Sequence, residues 1–117
     1  MLIGVTCGNR ETNTSSGMLD TNSLVTYFNE LINEQGGTSL IIPPQEILDI
    51  ESIGSKLDGL IMSGGGDINP NLYKEENTDS KSIMNIRDST EIKLLNMAEK
   101  NNIRTLAICR GHQMLNV

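Results

Sequence analysis

The chain holds only two cysteines in 117 residues, Cys7 and Cys109, too few for the disulfide framework of a small secreted domain and without the C-x-x-C spacing of a metal site. Free thiols are expected, and neither a metal nor a cofactor is implied. Basic residues are scarce and scattered: nine Lys and Arg stand against fifteen Asp and Glu, for a net charge of −6. No basic patch is available for a phosphate backbone, so nucleic acid is not an expected partner. No apolar run approaches the roughly 18 residues that span a bilayer, and the opening "MLIGVTCGN" lacks the basic segment of a secretory leader. No membrane partner is expected, and the cytoplasm is the expected compartment. Histidine occurs once, as His112.

What is present is an ordinary globular composition, 37% hydrophobic and 21% charged, in a length that suits one domain. Four short apolar runs read as strands: 2–7, 38–42, 58–63 and 104–108. Between the first two, "GNRETNTSSG" reads as a polar loop. Leu24, Tyr27, Phe28, Leu31 and Ile32 then recur at helical spacing behind the capping candidates Asp20, Thr21 and Asn22, and Gly36-Gly37 supplies a stop. A weaker helical stretch covers 46–56, and 67–86 is a polar, aperiodic loop long enough to predict function or mobility. Asp88 and Glu91 are spaced as a capping box, with Ile92, Leu95 and Ala98, flanked by Leu94, marking a helix face. Strands alternating with helices predict a three-layer α/β fold around a parallel sheet. Ligands gather at the carboxyl ends of such strands, where "SGGGD" (63–67) and "CRGHQ" (109–113) both fall.

Cys109 thus stands between a strand and a helix, the position of a nucleophile elbow, with Gly111 small enough to avoid collision. The positive end of the helix favours negative charge there. The amides of Gly64, Gly65 and Gly66 can converge on a developing oxyanion together with the amide of Arg110. The plainer alternative is a buried thiol after an apolar strand. A phosphate cradle would need G-x-x-x-x-G-K-[ST] or G-x-G-x-x-G, and neither occurs. Cys7, at the end of the first strand, reads as a packing residue.

The motifs Ser-Gly-Gly-Gly-Asp-x-x-Pro-x-x-Tyr (63–73), Arg-Asp-x-x-Glu (87–91) and Ile-Cys-Arg-Gly-x-Gln (108–113) follow one another along the chain. In this order and spacing they resemble the class I glutamine amidotransferase-like proteins, and within them the γ-glutamyl-γ-aminobutyrate hydrolase branch, peptidase family C26. The resemblance implies a flavodoxin-like sheet of order 2-1-3-4 and residues 1–117 as the amino-terminal portion of a single domain. It implies Cys109 as the nucleophile forming a γ-glutamyl thioester, and the amides of Gly65 and Arg110 as the oxyanion hole. Gly66, Gln113 and Arg87 fall on the substrate side, while Asp88 caps its helix. Ala107 departs from the glycine common in relatives two residues before the cysteine.

The family's general base is a histidine, oriented by a glutamate, and both lie well beyond the nucleophile. His112 does not occupy that position. The resemblance therefore implies an amino-terminal half, cut after the elbow, that does not turn over on its own. The expected partner is a small γ-glutamyl amide or glutamine. The alternatives are an inactive fragment, or a glutaminase subunit of the anthranilate synthase component II type that feeds ammonia to a synthase partner. A homo-oligomer is compatible with either.

Overall fold

A computed structural model of the chain describes residues 1–46 and 49–117. Four parallel strands form the central sheet: β1 (Leu2–Thr6), β4 (Thr38–Ile42), β5 (Gly59–Met62) and β6 (Arg104–Ala107), in the order β4-β1-β5-β6. This is the expected 2-1-3-4 arrangement of the four apolar runs. Helix α1 (Tyr27–Glu34) lies in the first crossover, α2 (Ile50–Gly54) in the second and α3 (Asn85–Lys100) in the third, while α4 (Arg110–Leu115) leaves β6 directly. The start of the helix expected over 46–56 includes residues 47 and 48, outside the described residues. From Asp49 onward that helix forms, with the Asp49 carboxylate accepting from Ser52 N at 3.2 Å as an N-cap.

The main hydrophobic cluster lies on one face of the sheet. Ile42, Leu60 and Met62 point from the strands into Leu57, Ile68, Leu94, Met97, Ala98 and Met114, all buried. Alternation places Ile3, Ile61 and Leu106 on the opposite face. There α1 packs along β4 and buries Ile32, whereas Leu106 stays 56% exposed. No helix among the described residues is long and apolar enough to cross a membrane.

Two expectations are corrected. The segment read as a loop is a hairpin, β2 (Gly8–Thr14) and β3 (Gly17–Ser23), joined through Ser15-Ser16. Asp20, Thr21 and Asn22 belong to β3 rather than to a helix cap, and α1 starts behind Thr26, which makes no side-chain cap bond. The hairpin escapes an apolar-alternation test because both of its faces are largely polar and exposed. Its β-branched threonines are the residual signal: the Thr12 and Thr21 hydroxyls share a hydrogen bond of 2.7 Å across the strands.

The third helix differs as well. It begins at Asn85, and its buried stripe runs through Arg87, Asp88, Thr90, Glu91, Leu94, Met97 and Ala98. Asp88 and Glu91 are therefore not a capping box. Their carboxylates are turned inward to meet arginines, so the first two turns of the stripe are charged and apolar spacing detects only the last two.

Leu94 is fully buried at the centre of this stripe. Leu94→Ala is expected to cost about 2–5 kcal/mol in urea unfolding, and Tyr27→Ala, at an exposed site, to stay within about 0.5 kcal/mol. Equal effects would contradict the assigned core face.

Candidate active site

The carboxyl ends of β5 and β6 meet as the sequence predicts. Ile108 N donates to Met62 O at 3.0 Å, which carries the β5–β6 pairing one step past the strands, and the chain then turns into α4 at Cys109. Cys109 has φ 51° and ψ −105°, a conformation that side-chain-bearing residues rarely adopt and that costs of order 1–3 kcal/mol. Its side chain is exposed. The plain reading of a thiol packed behind the strand therefore does not describe Cys109. It does describe Cys7, which is 1% exposed and whose thiol burial pushes up, opposed in part by the nearby Arg87.

Gly111 explains how the turn fits. A Cβ there would stand 2.5 Å from Met62 O, so α4 can rest against the end of β5 only with glycine at this position. The glycine loop runs alongside: a Cβ on Gly64 would lie 3.6 Å from the Cys109 Cβ. Gly65 has φ 154°, and a Cβ on it would meet Arg87 Nη1 at 2.3 Å. Neither Gly65 N, Gly66 N nor Arg110 N donates to an acceptor among the described residues.

Beneath this loop lie four charged side chains, none more than 4% exposed: Arg87, Asp88, Glu91 and Arg110. Arg87 Nε donates to Glu91 Oε1 at 2.8 Å, Arg110 Nη1 to Glu91 Oε2, and Arg110 Nη2 to Asp88 Oδ1. The other Asp88 oxygen accepts from Asn69 N at 3.0 Å. Burial draws the Arg110 guanidinium below its usual value, and the charges of Glu91 and Asp88 work against that shift. Arg87 then reaches the loop itself, its Nη2 donating to Ser63 O, Ser63 Oγ and Gly64 O at 3.0–3.1 Å. Ser63 is tied in turn to β1 through Thr6, with Ser63 N donating to Thr6 Oγ1 at 3.0 Å.

The expected site residues therefore divide. Cys109 meets the glycine loop at Gly64, while Gly65, Gly66 and Arg110 line the adjoining cleft, the Arg110 side chain being buried. Of the two residues expected on the substrate side, Arg87 lines the cleft beside the loop with its Nε and Nη2 bonded to the protein, and Gln113 is bonded to the long loop. Gln113 Nε2 donates to Asp67 Oδ1 at 2.9 Å, and Gln113 Oε1 accepts from Ile68 N at 3.3 Å. Asp67 also closes the long loop, its N donating to Lys81 O at 2.9 Å and its Oδ2 accepting from Lys81 N at 3.0 Å. Residues 67–81 thus form a loop with joined ends, containing a short 3-10 turn at Pro70–Tyr73. His112 is exposed, and its main-chain N–H donates to Cys109 O at 2.9 Å.

A cleft of about 280 Å³ opens beside Gly64–Gly66, and its other wall is the base of the β2–β3 hairpin, with Asn9, Arg10 and Ser23. Sequence reasoning missed this wall, because it read the hairpin as a loop.

The bond from Gln113 holds the Asp67 carboxyl below its ordinary value of 3.8, with the bond from the Lys81 amide acting in the same direction. A carboxyl lowered by folding contributes stability at pH above its unfolded value and loses it as pH falls through the folded one. The urea midpoint of Gln113→Met is therefore expected to lie below that of the parent at pH 7, and the gap to narrow below pH 3.8, the part due to the Ile68 amide bond remaining. A gap that does not change with pH would contradict this assignment.

Comparison with known proteins shows the family. The family model described as Peptidase C26 matches residues 1–117. A Schizosaccharomyces pombe protein named "Putative glutamine amidotransferase" is 42% identical over 75% of this chain and 35% of its own length. A Mycobacterium tuberculosis protein of the same name is 39% identical over 78% of this chain and 30% of its own. One from Rickettsia prowazekii, named as glutamine amidotransferase-like, is 35% identical over 77% and 32%. The chain spans about a third of the length of these relatives. With the family model matched along all 117 residues and the elbow and glycine loop side by side, the chain belongs to the peptidase C26 family.

Proposed function

We propose that the chain carries the nucleophile and the oxyanion-stabilising part of a cysteine-dependent enzyme acting on γ-glutamyl amides, glutamine included. The observation that carries this reading is the backbone of Cys109, held at φ 51° and exposed beside the glycine loop. Such strain persists only where the surrounding structure imposes it; the reading is supported by an exposed Cys109 against Gly64 and by amides of Gly65, Gly66 and Arg110 that have no acceptor of their own among the described residues.

In the proposed reaction, the Cys109 sulfur attacks the γ-carbonyl carbon. An S–C bond forms as the carbonyl π electrons move to oxygen, and the amides of Gly65 and Arg110 donate to that oxyanion. Collapse breaks the C–N bond, releases the amine with a proton and leaves a thioester. Water then adds, the C–S bond breaks, and glutamate and the free thiol result. Proton transfers in both halves need a base, worth about 10²–10⁴-fold in rate. His112 follows Cys109 on the same short helix, and the proposal assigns it no proton transfer. The base is assigned to a group outside these 117 residues.

The purified chain is therefore expected to take up a chloroketone analogue of glutamine at Cys109, and not at Cys7, while releasing no steady glutamate from γ-glutamyl amides. Peptide mass mapping and a glutamate assay check the two halves. Steady turnover that disappears in both Cys109→Ala and His112→Ala would make His112 the base and overturn that part of the proposal.

A further inference from the structure

We propose that Arg10 is the carboxylate-binding residue of this site, taking the α-carboxylate of the γ-glutamyl group; the inference rests on the reading above of Cys109 as nucleophile. Three arginines line the cleft beside the glycine loop: Arg10, Arg87 and Arg110. Two of them bring no net charge to it, because Arg87 and Arg110 are buried against Glu91 and Asp88. Arg10 is exposed, and it has no ion-pair partner among the described residues. No Asp or Glu lines the cleft. Its electrostatic sign is therefore set by Arg10, in a chain whose net charge is −6, and an anionic group is what it accepts.

The position of Arg10 suits one end of a substrate whose other end is at Cys109. Gly64 belongs to both places, lining the cleft and standing next to the Cys109 Cβ. The hairpin is held over the loop at its base, where a Cβ on Gly8 would lie 3.2 Å from Arg87 Nη1. Arg10 itself is fixed in the ladder opposite Thr21, whose hydroxyl donates to Arg10 O at 2.9 Å. Arg10 thus lies on the wall of the cleft that faces the glycine loop. About 280 Å³ is small for a drug-sized ligand and suits a group of amino-acid size. With the γ-carbonyl on the loop side, the glutamyl chain crosses the cleft and brings its carboxylate to the planar, two-pronged donor that matches it.

The test uses the whole 117-residue chain and the rate of Cys109 modification by three reagents: a chloroketone analogue of glutamine with a free α-carboxylate, its α-methyl ester, and iodoacetamide. In the parent the free acid is expected to react about tenfold or more faster than the ester, since a charge-assisted pair is lost with esterification. Arg10→Ala is expected to bring the free acid down to the ester rate, and Arg10→Lys to keep part of the preference. Iodoacetamide, which carries no glutamyl group, is expected to react equally with all three proteins. Arg10 is exposed on a hairpin, and unchanged thermal unfolding of the variants shows that the fold is kept. A preference that survives Arg10→Ala, or a parent that reacts equally with acid and ester, would overturn the assignment while leaving Cys109 as nucleophile. A parent that takes up iodoacetamide but neither chloroketone would overturn the γ-glutamyl reading and this inference with it.

Discussion

Two guanidinium groups and two carboxylates, all buried, stand beneath the glycine loop, and the geometry of the site depends on them. Burying either arginine alone would cost several kcal/mol, so the four charges are viable only as a set. Glu91 is the hinge of the set, one oxygen accepting from Arg87 and the other from Arg110. Through it, the first turns of α3 are locked both to the loop after β5 and to the start of α4. Such networks add little net stability, but they fix relative positions. Arg87 shows the consequence: with its Nε held by Glu91, its Nη2 gathers two carbonyl oxygens and one hydroxyl at Ser63 and Gly64. The loop carbonyls are thereby drawn inward to a cation.

The strain at Cys109 rests on the same foundation. A residue at φ 51° relaxes unless both flanks are held. On one side Ile108 N is bonded to Met62 O; on the other Gly111 lies so close to the same carbonyl that no side chain fits between. Arg110, between Cys109 and Gly111, is anchored by two carboxylates. The cysteine is left exposed in this turn, while Arg110 and Gly111 after it are buried.

How much of this was legible in the sequence follows from which forces leave a one-dimensional trace. The four parallel strands did, because each is a short apolar run bounded by turn residues, and their order came out as expected. The elbow did too, since a strand running into Cys-Arg-Gly is a local pattern. The hairpin over residues 8–23 did not: polar on both faces, it lacks the alternation that marks a half-buried strand. The roles of Arg87, Asp88 and Glu91 were hidden for a different reason. Charged residues at helical spacing look like a solvated face or a cap, and only the arrival of Arg110 from elsewhere in the chain turns them inward. Gln113 belongs with them, its amide bonded to Asp67 and Ile68 across the long loop. Arg10 was overlooked because the hairpin that carries it was.

The central claim is that the buried charges hold the glycine loop in the shape that stabilises an oxyanion next to Cys109. Arg87→Lys tests it most directly, because lysine keeps the charge beside Glu91 but cannot donate at once to Ser63 O, Ser63 Oγ and Gly64 O as the guanidinium does. The quantity to measure is the rate of Cys109 modification by the chloroketone analogue of glutamine, divided by the rate with iodoacetamide, which forms no oxyanion. The account predicts a folded variant in which this ratio falls about tenfold or more, as expected for the partial loss of an oxyanion site. A folded variant with an unchanged ratio would contradict it.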